Sequence, residues 1–134
     1  MKKAMTLYEL MITLIIVGIL VAVGTPSYLK MQEHSYDQEA IANLRRLQEA
    51  ENIYYVELKS YYPDLASSPD SNIDRINTNL KVRLPYDPNP GYTPKWNYAV
   101  YSNGCARAAR NVAVGGRSWR LRINEDEPIS GICP

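Results

Sequence analysis

From Leu10 to Leu29 the chain runs for twenty residues without an Asp, Glu, Lys, Arg or His. Such a stretch is long enough, as a helix, to cross a hydrocarbon core of about 30 Å. It therefore commits the first thirty residues to a bilayer or to a neighbouring apolar surface rather than to an ordinary globular core. Lys2 and Lys3 precede the run, which predicts that the N-terminus stays on the cytoplasmic side while the rest of the chain is exported. A secretory signal has a shorter apolar core and a small-residue cleavage site. Here Gly24-Thr25-Pro26-Ser27 leads into Tyr28 and Leu29, so the whole run is expected to remain with the protein. One carboxylate, Glu9, sits at its edge. Near a bilayer interior an unpaired carboxylate costs on the order of 2.5–3.5 kcal/mol on insertion scales, so Glu9 is expected to have a partner.

Of the 134 residues, about a hundred remain for one small domain. The full chain's 15 Lys and Arg against 14 Asp and Glu exclude a chain-wide basic field. With 11 Tyr, 2 Trp and no Phe, the aromatic surface also carries polar handles, which suits a domain rich in interfaces. The single histidine, His34, reads as a solvated helix residue. No nucleophile-base set or metal-ligand spacing can be built around it, so no enzyme activity, metal or cofactor is expected. Asn124 to Glu127, "NEDE", lacks the spaced ligands of a calcium loop. Cys105 and Cys133 have no CxxC or Cys/His companions. Behind an export signal they read as a disulfide formed in an oxidising compartment. In the chain-entropy picture, closing that loop contributes about 3–4 kcal/mol.

"KKA" followed by "MTLYELMITLIIVGILVAVGTPSY" resembles the N-terminus of type IV pilins and of the related pseudopilins of type II secretion systems. The resemblance covers roughly Lys2 to Tyr28. In that family a short basic leader ends at a small residue, and an inner-membrane prepilin peptidase cuts after it and N-methylates the new terminus. Carried onto this chain, this implies a leader of residues 1–4, cleavage between Ala4 and Met5, and methylation at Met5. Ala4 stands where the leader glycine is usual, and Met5 where the first phenylalanine is. Thr6 and Glu9 then fall at assembly positions, Glu9 being the fifth residue of the processed chain. The implied partner of Glu9 is the free amine of Met5 on the neighbouring subunit, an ion pair that would set the axial register of a helical homopolymer. Gly18, Gly24 and Pro26 weaken the helix, and in the family this stretch loosens within the filament.

The resemblance implies a structural filament subunit, held in the inner membrane as a precursor and then assembled by dedicated machinery into an extracellular pilus for adhesion, motility or DNA uptake. The alternatives are a pseudopilin in a periplasmic pseudopilus, or a minor pilin acting as a DNA- or surface-binding tip module. The Cys105–Cys133 pairing favours the pilus, whose C-terminal loop is often closed that way.

Beyond residue 29 the expected organisation is a head of residues 30–134: an amphipathic helix over 30–60, a connecting loop over 61–95, and an antiparallel sheet over 96–134. Ile41, Leu44, Leu47, Ala50, Tyr54 and Leu58 recur at helical spacing as the packing stripe, with Glu33, Asp37, Glu39, Arg45, Glu49 and Glu51 on other faces. Pro63 ends the helix. Within the loop, "NLKVRL" alternates as a strand. "KWNYAVYS", "GCARAARNV" and "RSWRLRI" supply further strands, with Gly115-Gly116 as the turn before the last. The fold class is thus α+β, a long N-terminal helix packed on a three- or four-stranded antiparallel sheet. Arg107, Arg110, Arg117, Arg120 and Arg122, interleaved with aromatic residues, are the candidate nucleic-acid patch. Alternating arginines are more often a solvated strand face, and Glu125, Asp126 and Glu127 lie close enough in sequence to pair with them.

Overall fold

Helix α1 spans Leu7–Leu58, 52 residues, in a computed structural model that describes residues 6–64, 68–85, 93–111 and 116–134. The chain divides into two units, Met1–Tyr36 and Asp37–Pro134. In the first, α1 carries its apolar side chains outward: Leu7, Leu14, Leu20 and Val23 are all more than 60% exposed. It is the only helix among the described residues that is long and apolar enough to cross a membrane. The helix is continuous through Pro26. Thr25 Oγ1 donates to the Val21 carbonyl at 2.7 Å, close to where the proline nitrogen lacks a proton to give.

In the second unit the buried part of α1 is Ala40, Asn43, Leu44, Leu47, Ala50 and Glu51. The expected stripe is thus right at Leu44, Leu47 and Ala50 and wrong at its end, because Leu58 is 59% exposed. Glu51, expected on a wet face, is instead 2% exposed. Helical periodicity fixes which residues share a face, but the segment that folds back after the helix decides which end of that face is covered.

The expected strand at "NLKVRL" is not one. Helix α2 covers Ile73–Leu80 and ends at Lys81 in a left-handed conformation, φ 53°. Asn72 caps its start, accepting from the backbone N–H groups of Asp74 and Arg75. Ile76 and Leu80, both buried, are the four-residue step that the alternation of Leu80, Val82 and Leu84 obscured.

Among the described residues four strands follow: β1 Trp96–Tyr101, β2 Cys105–Arg110, β3 Ser118–Arg122 and β4 Ile129–Ser130. They form an antiparallel meander in sequence order. The β1–β2 loop has three residues, and Gly104 at φ +71° closes it with its N–H on the Tyr101 carbonyl. A side chain at Gly104 would meet the Tyr61 ring at 3.3 Å, so glycine is required there twice over. Of the expected Gly115-Gly116 turn, Gly115 lies outside the described residues.

The register sets the two faces. Tyr98 opposes Ala108, which opposes Trp119, and Val100 opposes Ala106, which opposes Leu121. These form the face toward α1, where Asn43 Nδ2 donates to Tyr98 Oη at 2.8 Å. Small alanines on the central strand leave room for Leu44 and Leu47, both fully buried. Trp119 and Leu121 share that face, and Arg120 and Arg122 alternate onto the other.

Candidate functional site

The N-terminal motif begins with a reciprocal cap. Glu9 Oε2 accepts from both the backbone N–H and the hydroxyl of Thr6, each at 3.1 Å, and Thr6 Oγ1 accepts the Glu9 N–H at 3.2 Å. This is the arrangement by which a Thr-x-x-Glu sequence satisfies N–H groups that a helix start leaves without partners. Among the described residues, the partner of Glu9 within its own chain is therefore Thr6. Ala4 and Met5, the residues of the expected cleavage site, lie outside the described residues. Gly18 and Gly24 stand in open space: a side-chain carbon at either would meet nothing within 4 Å.

At the other end of the chain Cys105 and Cys133 form a disulfide, with Cα atoms 6.1 Å apart. Cys105 lies on the sheet face away from α1, yet is only 1% exposed. The C-terminal segment reaches back over that face, and the bridge holds it there. Gly131 N–H donates to the Ser118 carbonyl and Ser118 Oγ to the Gly131 carbonyl, at 2.9 and 2.8 Å.

The five arginines do not form one patch. Arg107 and Arg120 stand directly opposite each other on the outer face. Arg120 is paired with Glu125 at 2.9 Å, the pairing that their closeness in sequence suggested. Arg117 pairs with Asp37 of α1 at 2.6 Å, and Trp119 Nε1 donates to the same carboxylate at 3.4 Å. Arg110 belongs to the opposite face and lies over the Trp96 ring, 5.9 Å from its centroid. Arg122 contributes its backbone N–H to Glu125 at 3.0 Å. Their chemistry is largely internal, tying the sheet to the helix and to the turn after β3.

Two further constellations escaped sequence reasoning. Gln48 Nε2 donates to the carbonyls of Arg122 and Glu125, each at 2.7 Å, and fastens the turn after β3 to α1. The second is a buried polar network. Asp70, 1% exposed, accepts from Tyr62 Oη, from the Asn72 N–H at 2.9 Å and from Arg75 at 2.8 Å. Burial by itself would push its carboxyl up, but these three donors outweigh that and hold it below the ordinary carboxylate value. Burial and the adjacent Asp70 carboxylate push the Tyr62 hydroxyl up to about 12, so it stays a donor. Asp70 also exchanges backbone hydrogen bonds with Val100. "PDSNIDR" carries the one available signal, an acid and an Asn ahead of a short amphipathic turn with an Arg five residues from the acid. Among the described residues no group of three or more His, Cys, Asp or Glu is placed to hold a metal ion.

No family model matches the chain, and no solved structure matches it. A 66-residue stretch is 40% identical to the type IV major pilin protein PilA of Myxococcus xanthus (strain DK1622). The match covers 49% of this chain and 30% of that relative's own length. The resemblance read from the N-terminus thus has a counterpart in a curated pilin, and the chain is similar to type IV pilins in sequence over about half its length and in its order of a long apolar N-terminal helix followed by a four-stranded antiparallel sheet.

Proposed function

We propose that the chain is a structural subunit of a type IV pilus-like filament, cut between Ala4 and Met5, methylated at Met5 and polymerised through its N-terminal helix. The observation that carries this reading is the exposed, uncharged surface of α1 from Leu10 to Leu29, headed by the Thr6–Glu9 cap. Such a surface is satisfied by lipid before assembly and by neighbouring helices after it, through close packing of apolar side chains. Once the leader is removed, the Met5 amine is a cation. Thr6 presents Glu9 at the same end of the helix, where the carboxylate of one subunit meets the amine of the next and fixes their register. Gly18, Gly24 and Pro26 allow the helix to loosen in the fibre. The role is structural rather than catalytic, the membrane is the station of the precursor, and the peptidase and assembly machinery are separate proteins.

The test is the intact mass of protein recovered from fibres sheared off native cells, with and without reduction and alkylation. The expected mass is Met5 to Pro134 plus one methyl group, with alkylation only after reduction. An empty sheared fraction, with the processed chain retained in the envelope, would replace this reading by that of a pseudopilin. A chain that keeps residues 1–4 in the envelope would remove the Met5 amine, and with it the assembly role of Glu9.

A further inference from the structure

Two exposed patches of opposite charge lie on opposite flanks of the same helix. One is a groove lined by Arg46, Glu49, Ile53, Lys81, Val82 and Arg83. Its cations outnumber its single carboxylate, and its apolar element, Ile53, is 63% exposed. Arg46 donates to Asn43 at 3.3 Å, whereas Lys81 and Arg83 have no acidic partner among the described residues. The other patch is the segment after β3. Glu125 is used internally by Arg120 and Arg122, but Asp126 and Glu127 are exposed and have no basic partner among the described residues. Beside them Ile129 and Ile132 are 46% and 64% exposed.

The placement of the patches follows from α1. Gln48 holds the turn after β3 through the Arg122 and Glu125 carbonyls, so that turn sits on the Gln48 side of the helix. Arg46, Glu49 and Ile53 line the groove. At about 100° per residue their mean direction is roughly 135° from that of Gln48. A basic groove with an apolar floor and an acidic turn with apolar neighbours therefore point away from each other within one head unit. They cannot satisfy each other in the same chain. Two unlike, complementary patches make a head-to-tail contact, the kind that generates a helical polymer where the rotation between copies does not close a ring.

We infer that the groove of Arg46, Lys81 and Arg83 is the docking surface for a second copy of this chain, and that its occupant is the Asp126–Ile132 segment of that copy. The inference rests on the filament reading and adds a contact between the globular heads of successive subunits to the assembly of the N-terminal helices. Asp126 and Glu127 meet the cations, and Ile129 meets Ile53 and Val82. Complementary charge selects the partner and its register, while the apolar contact excludes water from the pairs.

The test is charge reversal and exchange in the full-length chain expressed in its native cells, with sheared fibre yield as the readout. Arg46→Glu with Arg83→Glu leaves Lys81 and its left-handed backbone untouched. Asp126→Lys with Glu127→Lys is the reciprocal variant. Each alone is expected to lower fibre yield about tenfold or more, and the four changes together to restore it. Folding is checked on the membrane-held monomer by its intact disulfide and its unfolding temperature. Normal fibres from both reversals would overturn the inference and leave the filament reading standing. So would loss of fibres that the exchange does not restore. Absence of fibres from the unaltered chain would instead overturn the filament reading, and this contact with it.

Discussion

Glu51 Oε2 accepts the backbone N–H of Tyr62 at 3.0 Å, while Oε1 of the same carboxylate is buried with no hydrogen-bond partner. Burial, opposed only by that one N–H, pushes the Glu51 carboxyl from 4.5 up to about 7. The folded chain therefore keeps a proton that the unfolded chain releases. Glu51's contribution is complete below about pH 4.5 and is lost as the pH rises to about 7. The loss is on the order of 3 kcal/mol. Glu51→Gln retains an oxygen for the Tyr62 N–H and never ionises. Thermal unfolding of the detergent-solubilised full chain at pH 4.5, 6 and 8 should show a declining midpoint for the unaltered protein and a flat one for this variant. The variant should be the more stable of the two at pH 8.

Asp70 works in the opposite sense. Its carboxyl is held below the ordinary 3.8, so the stability it contributes is present above that value and fades as pH falls through the lower folded one. Tyr62→Phe removes the hydroxyl that donates to Asp70 and accepts from Asn79 Nδ2 at 3.2 Å. It leaves a buried carboxylate oxygen without its donor, at a cost of about 2 kcal/mol. Acid unfolding followed by circular dichroism should begin at a higher pH in the variant, because the carboxyl then protonates more easily. An unchanged acid limb would mean that Asn72 and Arg75 suffice.

These two carboxylates also mark the limit of what the sequence makes legible. The apolar run, the three longer strands and the two cysteines are each specified by neighbours in the chain. An uninterrupted apolar stretch, a period of two or a pair of thiols identifies them. Glu51 and Asp70 are buried by a segment that folds back after α1, and nothing within a few residues of Glu51 records that Tyr62 will reach it. "NLKVRL" failed for a related reason: Asn72, the residue that starts α2, lies eight positions before Leu80, and the local alternation hid it. Asp37 reads as a wet helix residue because Arg117, its partner, is eighty positions away.

The disulfide between Cys105 and Cys133 spans 28 residues and holds down a C-terminal segment whose last strand is only two residues long. Replacing both cysteines by serine is expected to destabilise the head by about 3 kcal/mol. Limited proteolysis should then cut first between Asn124 and Pro134. Release elsewhere, with that segment intact, would mean that Gln48 and Ser118 hold it without the bridge.

Glu9 allows its two roles to be separated. In its own chain it caps the helix through Thr6, and glutamine performs that function nearly as well as glutamate, since the capping box accepts either. As the partner of the Met5 amine it needs its charge, which glutamine lacks. Glu9→Ala removes both roles and is expected to leave membrane-held monomers without fibres. If the charge sets the register, Glu9→Gln should fail in the same way, with helix content by circular dichroism unchanged and fibre yield lost. If capping is the whole of its function, Glu9→Gln should assemble normally while Glu9→Ala does not. The charge would then be incidental, and the register would rest on packing of the apolar surface and on contacts between heads.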